Sequence, residues 1–256
     1  MKIIQEKCTG CWECIPYCPL AAIKVKDEGA FPTAEVNQDE CVECAVCLRA
    51  EICPTGAIYQ PELEWPRSIR QAFSTILLGY GALEKAGIYG YVATSGEAGI
   101  GGGRGTSEMK TNDITGRYPD GEVGIGAEFG RPCVGFRFRD IERVATALAK
   151  HGVEFEPYNP LTVLMDPETG KIKYRELMNE RCMSAILEMN AKQEKVIEII
   201  EALKEAAKEI DTVISVDIIN KCQGTTIPVK PILEEAGIKV RINGKTNIGL
   251  GRPLIE

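Results

Sequence analysis

The sequence predicts an α+β protein in two parts, a small cysteine-rich domain at residues 1–60 and a larger α+β domain at residues 67–256. Three observations support this prediction. Eight of the 11 cysteines lie between Cys8 and Cys53, in two spaced runs. A segment with two prolines follows at residues 60–67 and is typical of a linker. Beyond it, strand and helix patterns alternate in the order β-α-β-β-α-β.

Composition places the chain among ordinary core-forming proteins. Its 256 residues are 44% hydrophobic and 26% charged. The formal net charge of −7 argues against nucleic acid as a partner and suits docking onto a basic protein patch. The most apolar stretch, near residues 76–82, is too short to cross a bilayer, and residues 1–8 lack the features of a targeting signal. We therefore expect a cytoplasmic protein without membrane association.

The two cysteine runs have a regular spacing. The first is Cys8-x2-Cys11-x2-Cys14-x3-Cys18 and the second is Cys41-x2-Cys44-x2-Cys47-x5-Cys53, each followed by proline. Cysteines three apart in a tight turn can direct thiolates at neighbouring irons of one cubane, while the fourth cysteine of each run reaches the other cluster. On that logic one cluster is held by Cys8, Cys11, Cys14 and Cys53, and the other by Cys41, Cys44, Cys47 and Cys18.

Disulfide bonds and zinc sites account for the cysteines less well than iron–sulfur clusters do. A disulfide framework would require an oxidising compartment, which nothing in the sequence indicates. Zinc sites usually have two cysteine pairs separated by a spacer, and they do not account for a three-cysteine run followed by Cys-Pro, found twice. Iron–sulfur ligation is the better interpretation.

Residues 1–60 resemble the bacterial-type two-cluster ferredoxins. The two halves read as an internal repeat, "CTGCWECIPYCPLAAIKV" against "CVECAVCLRAEICPTGAIYQ", and the second run departs from the pattern by two extra residues before Cys53. The resemblance implies two [4Fe–4S] clusters close enough for single-electron hops. Because neither cluster has a spare ligand position, we expect neither to be catalytic.

The larger domain has a predicted element order that matches the split-βαβ, or ferredoxin-like, plait. After a helix at 68–86 and a strand at 88–94, we predict the following elements: strand 122–130, helix 138–152, strand 161–166, strand 171–177, helix 182–210, central strand 212–219, helix 229–236 and strand 238–242. This fold serves many functions, so it does not select one.

A glycine-rich loop at residues 95–113 is the first candidate for a binding site in the larger domain. Glycine permits close backbone approach to a phosphate, a flavin or a carboxylate, and Arg104 and Lys110 would supply positive charge. The loop is a poor match to dinucleotide fingerprints. A mobile loop, or one that becomes ordered only against a partner, accounts for it more simply.

Arginines and cysteines elsewhere in the larger domain are further candidates. Arg131, Cys133 and Arg137 lie in "RPCVGFR", where guanidinium groups could bind a carboxylate or phosphate and favour a thiolate. Cys222 follows a predicted strand beside a lysine. Such residues are also compatible with a solvated face or with small buried side chains. The single histidine, His151, ends a predicted helix before a glycine, where a structural role accounts for it.

Three function classes fit these observations. The leading hypothesis is an electron-transfer protein or subunit that relays low-potential electrons through two [4Fe–4S] clusters to a redox enzyme or to other subunits of an oxidoreductase complex. The second is a reductive enzyme whose substrate or cofactor binds at the glycine-rich loop and the arginines. The third is a redox-sensing ligand-binding module. The oligomeric state is left open.

Overall fold

The computed structural model describes residues 1–29, 31–74 and 116–240. These residues belong to two compact units. The first contains the described residues up to 74 together with 130–138 and 175–184, and the second contains 116–129, 139–174 and 185–240. Two later segments thus pack with the cysteine-rich region, whereas the division predicted from the sequence assigns them to the larger domain. The functional boundary at residues 60–67 stays a prediction.

The secondary structure consists of short elements in the first unit and longer ones in the second. In the described residues the strands are β1 (Lys2–Ile3), β2 (Ile23–Lys26), β3 (Thr33–Val36), β4 (Ile58–Tyr59), β5 (Glu122–Phe129), β6 (Phe136–Arg137), β7 (Glu154–Phe155), β8 (Arg181–Cys182), β9 (Ala185–Lys192) and β10 (Ile214–Asn220). The α-helices there are α1 (Val46–Arg49), α2 (Ile69–Ala72), α3 (Phe138–Ala149), α4 (Pro160–Leu164), α5 (Val196–Ala207) and α6 (Val229–Glu235). None of these described helices is both long and apolar enough to cross a membrane.

In its described residues the first unit is built from three pairs of short antiparallel strands. β2 and β3 form a hairpin, and β1 pairs with β4 so that Ile3 lies opposite Ile58. Small apolar side chains such as Ala22 and Ala34 pack with the cysteines in one buried cluster. β6 pairs with β8. The cysteine-rich region therefore has its own core.

Three aromatic rings attach β6 to the helix that follows the linker. Phe73, Phe136 and Phe138 contact one another edge to face, with ring centroids 5.6 to 6.0 Å apart. All three are buried. Edge-to-face pairs of this kind contribute about 0.5–1.5 kcal/mol each beyond the area that they bury. The later segment at 130–138 is thereby fixed within the first unit.

Within its described residues the second unit contains a four-stranded antiparallel sheet with the order β10-β5-β9-β7. β5 and β9 pair along their whole lengths, from Glu122 opposite Lys192 to Phe129 opposite Ala185. Successive side chains alternate between the two faces of a strand. The odd-numbered residues 123–129 of β5 are fully buried, and so are most of their partners on β9. This face supplies the apolar core of the unit.

The predicted strand at 122–130 and the predicted helix at 138–152 are confirmed as β5 and α3. α3 buries Ile141, Val144 and Leu148, which lie three or four residues apart on one side. α5 buries Ile199 and Leu203 in the same way. The apolar periodicity identified these helices because their stripes face a core.

The strand predicted at 161–166 is wrong. These residues form most of α4, because the side chain of Asn159 accepts a hydrogen bond from the Leu161 amide at 2.8 Å and Pro160 occupies the first helical position. The strand predicted at 171–177 is also wrong, since it is reduced to a single bridge between Met165 and Ile172 and a 3-10 turn at Arg175–Leu177. At 161–166 the helix-capping residues Asn159 and Pro160 outweigh the tendency of the apolar run to form a strand.

The first part of the helix predicted at 182–210 is wrong as well. Residues Ala185–Lys192 form β9, and the helix covers only Val196–Ala207. Leu, Met, Ala and Glu favour helices in isolation, but β9 pairs with β5 and β7 in the sheet. Tertiary pairing overrides the local preference.

The C-terminal predictions have mixed outcomes. The strand predicted at 212–219 is confirmed as β10, but within the described sheet it lies at one end of the strand order and not in the centre. The helix at 229–236 is confirmed as α6. In the strand predicted at 238–242, residues 238–240 form no strand. The remainder of that strand, most of the helix at 68–86, the strand at 88–94 and the glycine-rich loop at 95–113 lie outside the described residues.

Gly170 provides a test of packing in the second unit. Its φ is +72°, and a Cβ there would lie 2.3 Å from the carbonyl carbon of Ala145. We expect Gly170→Ala to lower the free energy of unfolding by about 3 kcal/mol, because a left-handed backbone penalty and a steric overlap act together. Gly121 is the matched control, since its φ is +84° but nothing lies within 4 Å of its Cβ position. Gly121→Ala should cost about 1–2 kcal/mol. Urea unfolding followed by circular dichroism measures both, and equal losses would contradict the packing argument.

Candidate metal centre

Two cavities in the first unit are each lined by four cysteines. The first cysteine set, in one cavity, is Cys8, Cys11, Cys14 and Cys53. The second cysteine set, in the other cavity, is Cys18, Cys41, Cys44 and Cys47. The cavities enclose about 330 Å³ and about 340 Å³ respectively, including their openings to solvent. Each cavity thus combines three cysteines of one run with the last cysteine of the other.

Strand pairing explains why the runs cross. β1 and β4 lie side by side, and the Thr55 hydroxyl donates to the Lys7 carbonyl oxygen at 2.6 Å, which brings the end of the second run to the start of the first. On the other side, the amide of Asn37 donates to the carbonyl oxygen of Ala22 at 2.7 Å, so the end of the first run lies beside the start of the second.

The two halves share unusual backbone geometry at equivalent positions. Positive φ angles occur before the second cysteine of each run, at Gly10 (+68°) and Glu43 (+57°). They recur after that cysteine, at Trp12 (+60°) and Ala45 (+56°). Non-glycine residues with such angles are uncommon and are held by their surroundings. The internal repeat is therefore structural as well as sequential.

Backbone amides donate to several of the cysteine sulfurs. The Ala22 amide lies 3.1 Å from Sγ of Cys18, and the Ala57 amide lies 3.2 Å from Sγ of Cys53. Both donors follow their cysteine by four residues, another sign of the repeat. Such donors stabilise thiolates and influence the potential of any cluster that these bind.

The pKa shifts of these thiols are compatible with their binding a metal. Burial raises the pKa of Cys14 and Cys44, and it raises that of Cys47 to about 12. Burial acts on Cys53 too, but hydrogen bonds from Thr55 and Ala57 outweigh it and lower the pKa. A buried thiolate requires a compensating cation, and a bound metal deprotonates its cysteine ligands outright.

The described residues contain no group of three or more His, Cys, Asp or Glu side chains that converges on one metal ion. A [4Fe–4S] cubane does not require its ligands to converge on one metal ion, since each cysteine binds a different iron. Four soft thiolates around a cavity are the donor set that iron–sulfur clusters use.

A family model for the 4Fe-4S dicluster domain matches residues 7–60. Through these residues the chain belongs to that family. The matched range, called the dicluster domain below, contains all eight cysteines that line the two cavities. The predicted N-terminal two-cluster ferredoxin domain is thereby confirmed.

Three relatives illustrate the similarity. A ferredoxin of Methanothermococcus thermolithotrophicus is 33% identical over 60 residues, which are 23% of this chain and 92% of the relative. The pyruvate synthase subunit PorD of Methanocaldococcus jannaschii is 35% identical over 54 residues, 21% of this chain and 57% of the relative. One subunit of the H(2):CoB-CoM heterodisulfide,ferredoxin reductase of Methanothermobacter marburgensis is 32% identical over 93 residues, 31% of this chain. The chain spans only 14% of the length of that reductase subunit. No solved structure matches the chain.

Arg67, the last residue of the predicted linker, and Arg70, just after it, hold the second cysteine run of the dicluster domain. Arg67 donates from Nη2 to Oε1 of Glu43 at 2.6 Å. Arg70, only 4% exposed, donates from Nη1 to the carbonyl oxygen of Cys41 at 2.6 Å and from Nε to Oε2 of Glu180 at 2.5 Å. These arginines are not among the residues predicted from the sequence, because their partners lie far away along the chain and no spacing marks them.

Glu43 is the most enclosed carboxylate of the dicluster domain. It is fully buried and contacts Arg67, Gln60 and the backbone nitrogen of Met1. Burial acts to raise its pKa, but hydrogen bonds and positive charge from Met1 and Arg67 outweigh that effect and lower the pKa. The carboxylate is therefore held ionised, and it fixes the loop between the first two cysteines of the second run.

The predicted anion-binding residues lie in different places. Arg137 lies 3.3 Å from Oε1 of Glu40, and Arg181 contacts the same carboxylate, so both guanidinium groups engage the dicluster domain. Arg131 and Cys133 are exposed in the first unit, and Cys222 is exposed in the second. Arg104 and Lys110 lie outside the described residues. Binding of an external anion stays a prediction for all of these residues.

The buried Arg70–Glu180 pair can be tested by removing its cation. We expect Arg70→Met to lower the free energy of unfolding of the first unit by about 3–5 kcal/mol, because Glu180 loses its counter-charge and the Cys41 carbonyl its donor. Tryptophan fluorescence during urea unfolding reports this unit, since Trp12 and Trp65 are the chain's 2 tryptophans. Lys26→Met is the control, because Lys26 also lies in the first unit and its pairs with the exposed Glu28 and Glu35 should contribute about 0.5 kcal/mol or less. Equal effects of the two substitutions would contradict the role given to Arg70.

Proposed function

We propose that this protein is an iron–sulfur electron-transfer protein or subunit that relays low-potential electrons to a partner redox enzyme. The first cysteine set would hold one [4Fe–4S] cluster and the second cysteine set the other. The observation that carries the proposal is the composition of the two cavities, because each is lined by three cysteines of one run and the fourth of the other. That crossed arrangement is the one used by two-cluster ferredoxins.

The role of the clusters follows from their ligand count. A [4Fe–4S] cluster accepts and releases single electrons when bound. With four cysteines available in each cavity, every iron of a bound cluster would have a protein ligand and none would be left for a substrate. The chain's own residues hold the thiolates, limit access of water and supply amide donors to sulfur, such as those of Ala22 and Ala57. These properties suit clusters that relay electrons better than clusters that catalyse a reaction.

The names of the relatives support a redox enzyme as the partner. One is a ferredoxin, and two others are subunits of a pyruvate synthase and of a heterodisulfide,ferredoxin reductase. We propose that this chain likewise serves an oxidoreductase complex, and that the second unit docks the enzyme. Cysteines that must stay reduced to bind iron favour the cytoplasm.

We also propose a ferredoxin-like plait for the second unit. Four of its strands and two of its helices follow one another as β5, α3, β7, β9, α5 and β10. The sheet order β10-β5-β9-β7 with antiparallel neighbours supports this assignment. The fold is shared by many functions and so leaves the docking role open to test.

Cluster content is the direct test of the proposal. Anaerobically purified protein should contain about eight irons and eight sulfides per chain and give two reducible signals by electron paramagnetic resonance. Cys11→Ser should lose or perturb one signal. Cys133→Ser is the matched control, because Cys133 is also an exposed cysteine of the first unit but lines neither cavity. Stoichiometric zinc without a reducible signal would refute the proposal.

A further inference from the structure

Two equivalent loops of the dicluster domain allow a like-for-like comparison. The first loop is residues 9–13 and the second loop is residues 42–46, each containing the second cysteine of its run. Positive φ angles occur at matching positions in both loops, before and after that cysteine. A difference in exposure between the loops therefore reflects their surroundings and not their backbone conformation.

The first loop is exposed to solvent, whereas the second loop is largely buried. In the first loop, Cys11, Trp12 and Glu13 are exposed. In the second loop the residue equivalent to Trp12 is Ala45, and the exposed fractions are 44% for Trp12 and 4% for Ala45. Of the eight cavity-lining cysteines, Cys11 alone is exposed. One cysteine set is thus open to an outside molecule at this loop.

The first unit itself covers the second cysteine run. Arg70 holds the Cys41 carbonyl, and Glu40 is bound by Arg137 and Arg181 on strands β6 and β8. A Cβ placed at Gly135, just before β6, would lie 3.1 Å from Leu20, which lines the second cavity. Residues from later in the chain therefore cover the second cysteine run, whereas the first loop is left exposed.

We infer that the first loop is the surface through which the dicluster domain exchanges electrons with a separate, basic one-electron redox protein. The inference rests on the proposed function. Electron tunnelling slows steeply with distance, so a partner must approach a cluster ligand closely, and Cys11 is the ligand that it can reach. The cluster of the second cysteine set then exchanges electrons with the first cluster and not with that partner.

Charge and apolar surface specify the chemistry of the partner. Glu6 and Glu13 lie on either side of Cys11 along the chain and are exposed, and within the described residues neither forms an ion pair. Lys7 is also exposed, so residues 6–13 carry a net charge of −1. On the covered run, by contrast, Glu40 and Glu43 are neutralised by arginines of the same chain. A partner with lysines or arginines around an apolar contact patch would supply the same neutralisation to the first loop, with Trp12 as its apolar contact.

Cluster accessibility gives the first test. A soluble dysprosium chelate should enhance the electron-spin relaxation of one reduced cluster signal more than the other. Cys11→Ser and Cys44→Ser, at equivalent positions of the two loops, identify the signals, and the more accessible one should be that perturbed by Cys11→Ser. Equal enhancement of both signals, or stronger enhancement of the signal perturbed by Cys44→Ser, would overturn the inference.

Transfer kinetics give the second test, with oxidised mitochondrial cytochrome c as a basic one-electron probe. Glu13→Lys should slow reduction of cytochrome c by the reduced protein about fivefold or more at low ionic strength, because a rim charge governs the rate of encounter. Glu64→Lys makes the same change of net charge at an exposed residue of the first unit, three positions before Arg67, which contacts the second loop, and it should leave the rate within about twofold. Equal slowing by both variants would overturn the inference.

The two proposals fail in distinguishable ways. If the wild-type protein contains no iron, sulfide or reducible signal, the proposed function fails. If it contains two signals that are equally accessible, the relay stands and only the assignment of the first loop is wrong.

Discussion

The pairing of β1 with β4 is the contact on which the rest of the dicluster domain depends. It joins the two ends of the cysteine-rich region, with Ile3 opposite Ile58. Without this closure Cys53 would not reach the cavity of Cys8, Cys11 and Cys14, and that site would lack its fourth cysteine. The strands are only two residues long. Their stability must come largely from the buried cluster that they close, since so short a ladder is marginal in water.

The two halves of the internal repeat lie in different environments. Both halves use left-handed residues beside the second cysteine, yet one uses glycine where the other uses the buried, ionised Glu43. A charged group in that position is costly unless it is paired, and Arg67 supplies the pair. The second half is thereby anchored to Arg67 at the end of the predicted linker. This asymmetry leaves the two otherwise equivalent loops with different exposure.

Residues far from the cysteines in sequence complete the first unit. Phe136 and Phe138 pack on Phe73, and Arg70 reaches both Cys41 and Glu180. One of these features is an apolar cluster and the other is a buried ion pair. Both are formed by residues that are far apart in the sequence. The dicluster domain is consequently part of a larger folded body and not an appended module.

The sequence alone determined the features that depend on short-range spacing. The intervals between cysteines predicted iron–sulfur chemistry and two crossed cysteine sets, and the two cavities bring those same sets together. The periodicity of α3 and α5 likewise identified helices with one buried face. Only the tertiary structure decided that residues 185–192 form a strand, because pairing with β5 outweighs their preference for helix. It also decided that Arg67 and Arg70 hold the second cysteine run. Their effect depends on partners 24 to 110 residues away, and no local pattern encodes contacts made at such separations.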